Sequence, residues 1–368
     1  MKRAAWILAL ALAGCRPSGT SSAPGNPFAV QPYADGPLSP RTKVFLIAGG
    51  DDVANFAAEV LEQRTLWRRA GLKEDEIACY WAKPTAKGLA DDYEQYAALE
   101  LALRSCRAAS PGQIAQDLRA ATAEAKDFVY VFVSSHGLPS QLRALEASEV
   151  PRTRRFVASL DDFERSVLEP AAIGLEAGEG PKLGEARATV AALRAGAPPE
   201  WVVFSPSTLG LLLAAFPEDV RKVVVLQACF SGGFIDHHAP GADTEATGAD
   251  ALLAVPNLTV LTATAAERPS FGCGSGEART YFGAAVNGAL ARALAEHPPE
   301  NLPWRDIYDD VTFAIEAMEA VMGQRASHPG FAETGGLTRP AAPSASPDGP
   351  GDALDAPPDA PGDALDET

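Results

Sequence analysis

Long apolar runs are scarce in this chain of 368 residues. Beyond the first fifteen positions, no stretch is long and apolar enough to cross a bilayer as a helix, which excludes a bundle of membrane-spanning helices. Positive charge is also in short supply. The 31 Lys and Arg face 48 Asp and Glu, giving a net charge of −17, and such a balance argues against nucleic acid or an anionic surface as a partner. Seven of the acids (Asp348, Asp352, Asp355, Asp359, Asp363, Asp366 and Glu367) follow Arg339 with no base among them, so the short tail is the most acidic segment of the chain. Cysteine is sparse, and none of the five has the close Cys/His spacing of a zinc site. No metal and no cofactor is expected. No Gly-Lys-Ser/Thr follows Gly49-Gly50-Asp51-Asp52, so that stretch reads as a strand-to-helix turn at a crevice rim rather than a phosphate loop. No periodic repeat runs through the body of the chain, which excludes a solenoid.

What the chain does have begins at its N-terminus. Lys2 and Arg3 precede a short apolar run over 4–11, and Leu12-Ala13-Gly14-Cys15 follows. Charge, apolar run and small residues are in the register of an export signal. The four residues ending in Cys15 resemble the lipobox of bacterial lipoproteins, which implies cleavage before Cys15 and its lipidation. More than one acyl chain would make that anchor stable. Arg16 stands where an aspartate commonly retains such proteins in the inner membrane, so the expected destination is the outer membrane, on its periplasmic or surface face. Residues 1–14 are therefore read as signal peptide and 15–40, rich in Pro, Ser, Gly and Ala, as a flexible tether. Residues 332–368 are Pro, Ala, Gly and Asp with almost no large apolar side chains, and read as a disordered acidic tail. Outside the cytoplasm a disulfide is permitted. Cys79 and Cys106 are a possible pair, though sequence does not establish it.

Between these ends, short apolar runs alternate with helical patterns. The runs 43–48, 76–81, 128–133, 222–226 and 258–262 are rich in Val, Ile, Phe and Tyr, as strands covered on both faces should be. Segments 53–70, 91–107, 111–125 and 207–216 carry apolar residues at helical spacing, and 279–295 and 307–323 add two more helices. Ser110-Pro111 and Ser205-Pro206 look like helix starts. Asp91-Asp92 and Asp309-Asp310 are read as helix-start carboxylates. The alternation predicts an α/β fold with a mainly parallel, doubly wound sheet. Residues 139–200 break the pattern, being long, charged and partly helical, and read as an insertion beside the site.

Two strands run into reactive residues. The run 128–133 leads to Ser134-Ser135-His136-Gly137, and 222–226 leads to Gln227-Ala228-Cys229-Phe230-Ser231-Gly232-Gly233. In open α/β sheets the ligand crevice lies at the carboxyl ends of the strands. If the two strands are neighbours, a thiol and an imidazole meet there, which is what nucleophilic catalysis needs. Glycines at 137, 232 and 233 would let a substrate backbone approach and leave amides free for an oxyanion. The alternative is a strand-end histidine in a turn and a small buried cysteine. Asp236-His237-His238 reads as a solvated loop, since adjacent residues seldom close a metal site. Cys273 reads as buried rather than reactive.

An apolar strand ending in His-Gly and a second ending in Ala-Cys resembles the caspase-type clan of cysteine peptidases. The string 227–235 (QACFSGGFI) is similar to the legumain family, as are 262–266, 270–273 and 280–283, with Ser327-His328-Pro329 resembling a stretch near the end of bacterial members. The resemblance covers 43–137 and 201–331. It implies a caspase-like three-layer α/β/α sandwich over 41–331 with the helical insertion 139–200. It further implies a cysteine endopeptidase acting on peptide or protein substrates, with Cys229 as nucleophile, His136 handling protons, and the Gly137 and Cys229 amides holding the oxyanion. No third catalytic residue is implied. Legumain's own pocket is acidic where this chain has Gln227 and Ala284, with Ser270 keeping a pocket position, so asparagine preference is not expected. Two other outcomes remain open: transamidation or transpeptidation by the same dyad, and an inactive caspase-like binding module on the envelope. Oligomeric state is not legible.

Overall fold

The computed structural model describes residues 42–85, 93–125, 127–175, 183–236, 248–272 and 278–335. The signal, Cys15, the tether, Asp91-Asp92, His237-His238, Cys273 and most of the acidic tail lie outside them. Seven strands form one sheet in the order β3-β2-β1-β4-β7-β8-β9. They are β1 (Thr42–Ala48), β2 (Ile77–Trp81), β3 (Arg107–Ala108), β4 (Phe128–Ser134), β7 (Arg221–Gln227), β8 (Leu258–Thr262) and β9 (Gly330–Thr334). All neighbours run parallel except β8 and β9, which are antiparallel.

The alternating side chains of each central strand explain the two layers of helix. Phe128, Tyr130 and Phe132 of β4 belong to one apolar cluster, and Val129, Val131 and Val133 to another. The same split holds for Val44 and Leu46 against Phe45 and Ile47 in β1. A strand buried on both faces is apolar along its buried length, as β4 is from Phe128 to Val133. Helices α1 (Ala54–Arg69), α2 (Tyr93–Leu103), α10 (Tyr281–Glu296) and α11 (Trp304–Met322) cover the first face. The second is covered by α3 (Pro111–Ala121), α8 (Pro206–Leu213) and α9 (Ala249–Leu253). The architecture is a three-layer α/β/α sandwich on a mainly parallel sheet, as expected.

The two Ser-Pro signals are helix caps. Ser110 Oγ accepts from the Gln113 amide at 3.3 Å, and Ser205 and Thr208 form a reciprocal capping box with a proline in the first turn. Other expectations shift. The helix expected to reach 107 ends at Leu103, because Cys106 turns back to a disulfide with Cys79 and Arg107 enters the edge strand β3. Asp309-Asp310 do not start a helix. Helix α11 begins at Trp304, where the buried indole anchors its first turn, so these acids fall in the second turn and Asp310 pairs with Arg292 at 2.8 Å. Strand β9 was not anticipated, having few large apolar side chains.

Within 139–200 the described residues form α4 (Gln141–Glu146), α5 (Pro151–Val157), α6 (Asp162–Leu168) and α7 (Leu183–Arg194). They share a small core of their own that includes Leu142, Phe156, Leu168 and Val190. A short antiparallel pair, β5 (His136–Leu138) and β6 (Ala172–Gly174), ties this unit to the end of β4.

Candidate active site

The register of the sheet brings the expected pair to one place. Strands β4 and β7 are neighbours, with Ser134 opposite Gln227, and the Ser135 amide donates to the Gln227 carbonyl at 3.0 Å. His136 and Cys229 therefore each stand two residues beyond the same rung, at the carboxyl edge of the sheet, where ligands bind in open α/β folds. Between them the backbones touch. A Cβ on Gly137 would collide with the Cys229 carbonyl oxygen, so only glycine allows the histidine strand to lie this close to the nucleophile turn. Gly232 is equally constrained, with a Cβ falling on the backbone of Ala265 and Ala266. Phe230, directly after the cysteine, sits in the left-handed region at φ 59°, held there as its amide donates to the Arg268 carbonyl at 2.8 Å. A non-glycine residue in that conformation marks a turn fixed by its surroundings.

Cys229 is half-buried and is the cysteine among the described residues that is not in a disulfide. The Ser270 amide donates to its Sγ at 3.2 Å, and the Sγ also lies 3.8 Å from the Ser270 carbonyl oxygen. His136 is packed on three sides. Its Nε2 lies 2.7 Å from Asp52 Oδ1, its ring meets Phe56 edge-on at 5.1 Å and 84°, and Gly50, at φ 73°, lies so near that a Cβ would stand 3.1 Å from Cδ2. An Nε2–H given to Asp52 leaves Nδ1 as the proton acceptor of the ring.

Asp52 was missed as a partner of the histidine, having been read only as part of a turn at the crevice rim. The turn is there, and its signal was available. Strand β1 pairs with β4 on the side away from β7, Ala48 opposite Ser134, so an acid a few residues beyond β1 emerges beside whatever follows β4.

The residues expected to line a pocket also converge. Gln227 is fully buried, and its Oε1 accepts from Ser270 Oγ at 3.2 Å, while the amide of the same serine reaches the sulfur. Among the described residues, Gln227 Nε2 is buried without a hydrogen-bond partner. The two side chains placed beside the nucleophile, an amide and a hydroxyl, are both neutral. Ala284 lies in the first turn of α10 and is exposed. A separate cavity of about 680 Å³ opens between the insertion and α8, lined by Leu142, Val167, Pro170, Ser205 and Leu211 among others, and no residue of the dyad or pocket lines it. Among the described residues no three His, Cys, Asp or Glu side chains gather as a metal site, and no helix is long and apolar enough to cross a membrane.

No protein-family model and no curated protein matches the chain. Solved structures similar to it include protein GSU0716 from Geobacter sulfurreducens, at 12% identity and a TM-score of 0.42 over 81% of this chain and 94% of that one. Caspase-1 from Spodoptera frugiperda is similar at 11% identity and a TM-score of 0.39, over 83% of this chain and 90% of the caspase. Likenesses this distant leave the chemistry to be read from the site's own geometry.

Proposed function

We propose that this chain is an exported, lipid-anchored cysteine endopeptidase. The observation that carries the reading is the shared rung of β4 and β7 together with the fit of Gly137 against the Cys229 carbonyl, which supports a thiol and an imidazole working together. In this reading His136 takes the Cys229 proton, and the thiolate attacks the scissile carbonyl. The amides of Gly137 and Cys229 receive the oxyanion as it forms. The imidazolium then protonates the leaving amine, a thioester remains on Cys229, and water activated by His136 releases the acid and the free enzyme. Asp52 holds the ring and its tautomer throughout without touching substrate.

The test uses a soluble form beginning after Cys15, incubated beside its Cys229→Ala variant with a proteome-derived peptide mixture, with cleavage sites read by mass spectrometry. Cuts are expected only with Cys229 present, with a loss of at least about a thousandfold in the variant. Equal cleavage by the variant would remove the dyad from consideration, and no cleavage by either folded protein would favour a binding module. The anchor rests on the pattern Lys2 to Cys15. Expression of the full chain in a bacterial host should give a mature N-terminus whose mass carries acyl chains, and Cys15→Ser should abolish both the modification and partition into a detergent phase. An unmodified Cys15 in the membrane fraction would refute it.

A further inference from the structure

Helix α1 carries a buried acid that no step above uses. Glu59 is fully buried, facing the end of β4 and the start of α10. Ser134 Oγ donates to its Oε2 at 2.6 Å, and the Thr280 amide donates to its Oε1 at 2.5 Å. Gly283 packs on the carboxylate so closely that a Cβ there would collide with it.

Two chains of contact leave this carboxylate, and both end at the dyad. Along the first, Ser134 is two residues from His136 in continuous backbone. Along the second, Thr280 is followed by Tyr281, whose amide donates to the Phe271 carbonyl at 3.1 Å, and the residue before Phe271 is Ser270, whose amide meets Cys229 Sγ. Asn55, one turn earlier on α1, reinforces that loop by donating to the Gly272 carbonyl at 2.6 Å. One side chain therefore joins the segment that delivers the imidazole to the segment that delivers an N–H to the sulfur.

We propose that Glu59 is a positioning residue of this site, clamping the His136 strand to the Ser270 loop, and that gain or loss of its proton changes how firmly the clamp holds. The inference rests on the peptidase reading above. Both partners donate, so the ionised form makes two charge-assisted bonds, and such bonds are roughly twice as strong as neutral ones. In the acid form Oε2 must itself donate, the Ser134 hydroxyl must reverse, and the grip loosens.

The surroundings poise the group. Burial is the main influence and pushes its pKa from 4.5 up to about 7, against the pull of the Ser134 and Thr280 bonds, while Glu62 on the same helix adds a smaller push upward. Arg279, from the segment before α10, pairs with Glu62 at 3.0 Å. The groups facing Glu59 from β4 and α10 are neutral: Ser134, Thr280 and Gly283, with Asn287 on its backbone carbonyl. A raised pKa means that the folded chain holds this proton more tightly than the unfolded one. The stability it contributes is fully present below 4.5 and is lost as pH rises through about 7. Activity should run the opposite way, rising with deprotonation, and that opposition separates positioning from a merely structural role.

The experiment compares the soluble wild type with Glu59→Gln and Ser134→Ala from pH 5 to 9. It reads kcat/KM on a quenched peptide taken from the cleavage survey, the rate of Cys229 alkylation by iodoacetamide, and the melting temperature. Wild type should show a rise in kcat/KM and alkylation centred near pH 7. Glu59→Gln should lose that step and sit about tenfold to a hundredfold lower at pH 8, while melting no lower there than wild type. Ser134→Ala, which deletes one stabilising donor, should move the step to higher pH. A Glu59→Gln enzyme with wild-type rates and pH profile would overturn the proposal while leaving the peptidase intact. Wild type without Cys229-dependent cleavage would overturn the peptidase reading instead. A variant that loses activity only in proportion to its melting temperature would reduce Glu59 to a structural group.

Discussion

The two faces of the sheet solve burial in different ways. The face under α3, α8 and α9 is packed almost wholly with Val, Leu, Ala and Phe, and its Tyr80 hydroxyl reaches Asp117 at 2.7 Å. The face under α1, α2, α10 and α11 holds the two largest fully buried side chains, Trp67 and Trp304, and a polar ladder running along α1. Glu59, Gln63 and Trp67 recur every four residues on one side of that helix. Trp67 Nε1 and Tyr130 Oη both donate to Gln63 Oε1, at 3.1 and 3.3 Å, and Gln63 Nε2 donates to Asn287 Oδ1 at 2.7 Å. Asn287 Nδ2 closes the ladder on the Glu59 carbonyl at 3.3 Å and Glu62 Oε2 at 2.7 Å. Apolar packing tolerates exchange of shape for shape. A buried polar network fixes one arrangement, because each member left unpaired carries a desolvation penalty. The fixed face is the one that continues through Glu59 to the dyad.

The largest effect should come from removing the ring at the centre of the patterned face. Trp67 lies 4.8 Å from Tyr130, which stacks on Trp304 at 5.6 Å and 19°. Trp67→Ala should cost about 3–5 kcal/mol of unfolding free energy in urea, from lost burial and the cavity left behind. Loss of under about 1 kcal/mol would mean that the rings close up around the gap and that this face is no more rigid than the other.

Much of this contrast was legible, and the rest was hidden for identifiable reasons. The run 128–133 alternates ring and β-branched side chains, so both layers could be read from one strand. The two reactive residues were visible because each directly follows an apolar strand, and a strand end in a parallel sheet has a defined address. Asp52 follows a strand as well, but four residues on and inside a glycine turn, where distance along the chain hides closeness to His136. Strand β9 gave little periodic signal because it is a half-exposed edge with only Phe331 as a large apolar residue, covered by Arg305 at 3.8 Å. Glu59 and Gln63 escaped notice as ordinary polar residues of an amphipathic helix. Their phase shared with Phe56, Val60 and Trp67 puts them on the inward side. A polar residue in the apolar phase of a helix is the sequence signature of a buried network.

Gln63→Leu sharpens the comparison at smaller scale, because it conserves most of the volume and removes only hydrogen bonds. It strips the acceptor from Trp67 Nε1 and Tyr130 Oη and the donor from Asn287 Oδ1, so the apolar gain of a buried leucine is set against three groups losing partners. The unpaired groups dominate, and the expected loss is about 1–3 kcal/mol, softened as the side chains shift toward one another. On the other face, Leu209→Met is the matched change, with Leu209 fully buried and nothing polar to orphan, and should cost under about 1.5 kcal/mol. Urea denaturation of the two variants side by side reads the difference. If Gln63→Leu is as mild as Leu209→Met, the ladder is ornament to the packing, and Glu59 would have to act at the site without support from the helix that carries it. If it is costlier and also slows Cys229 alkylation, the polar face is the rigid frame on which the two arms of the clamp depend.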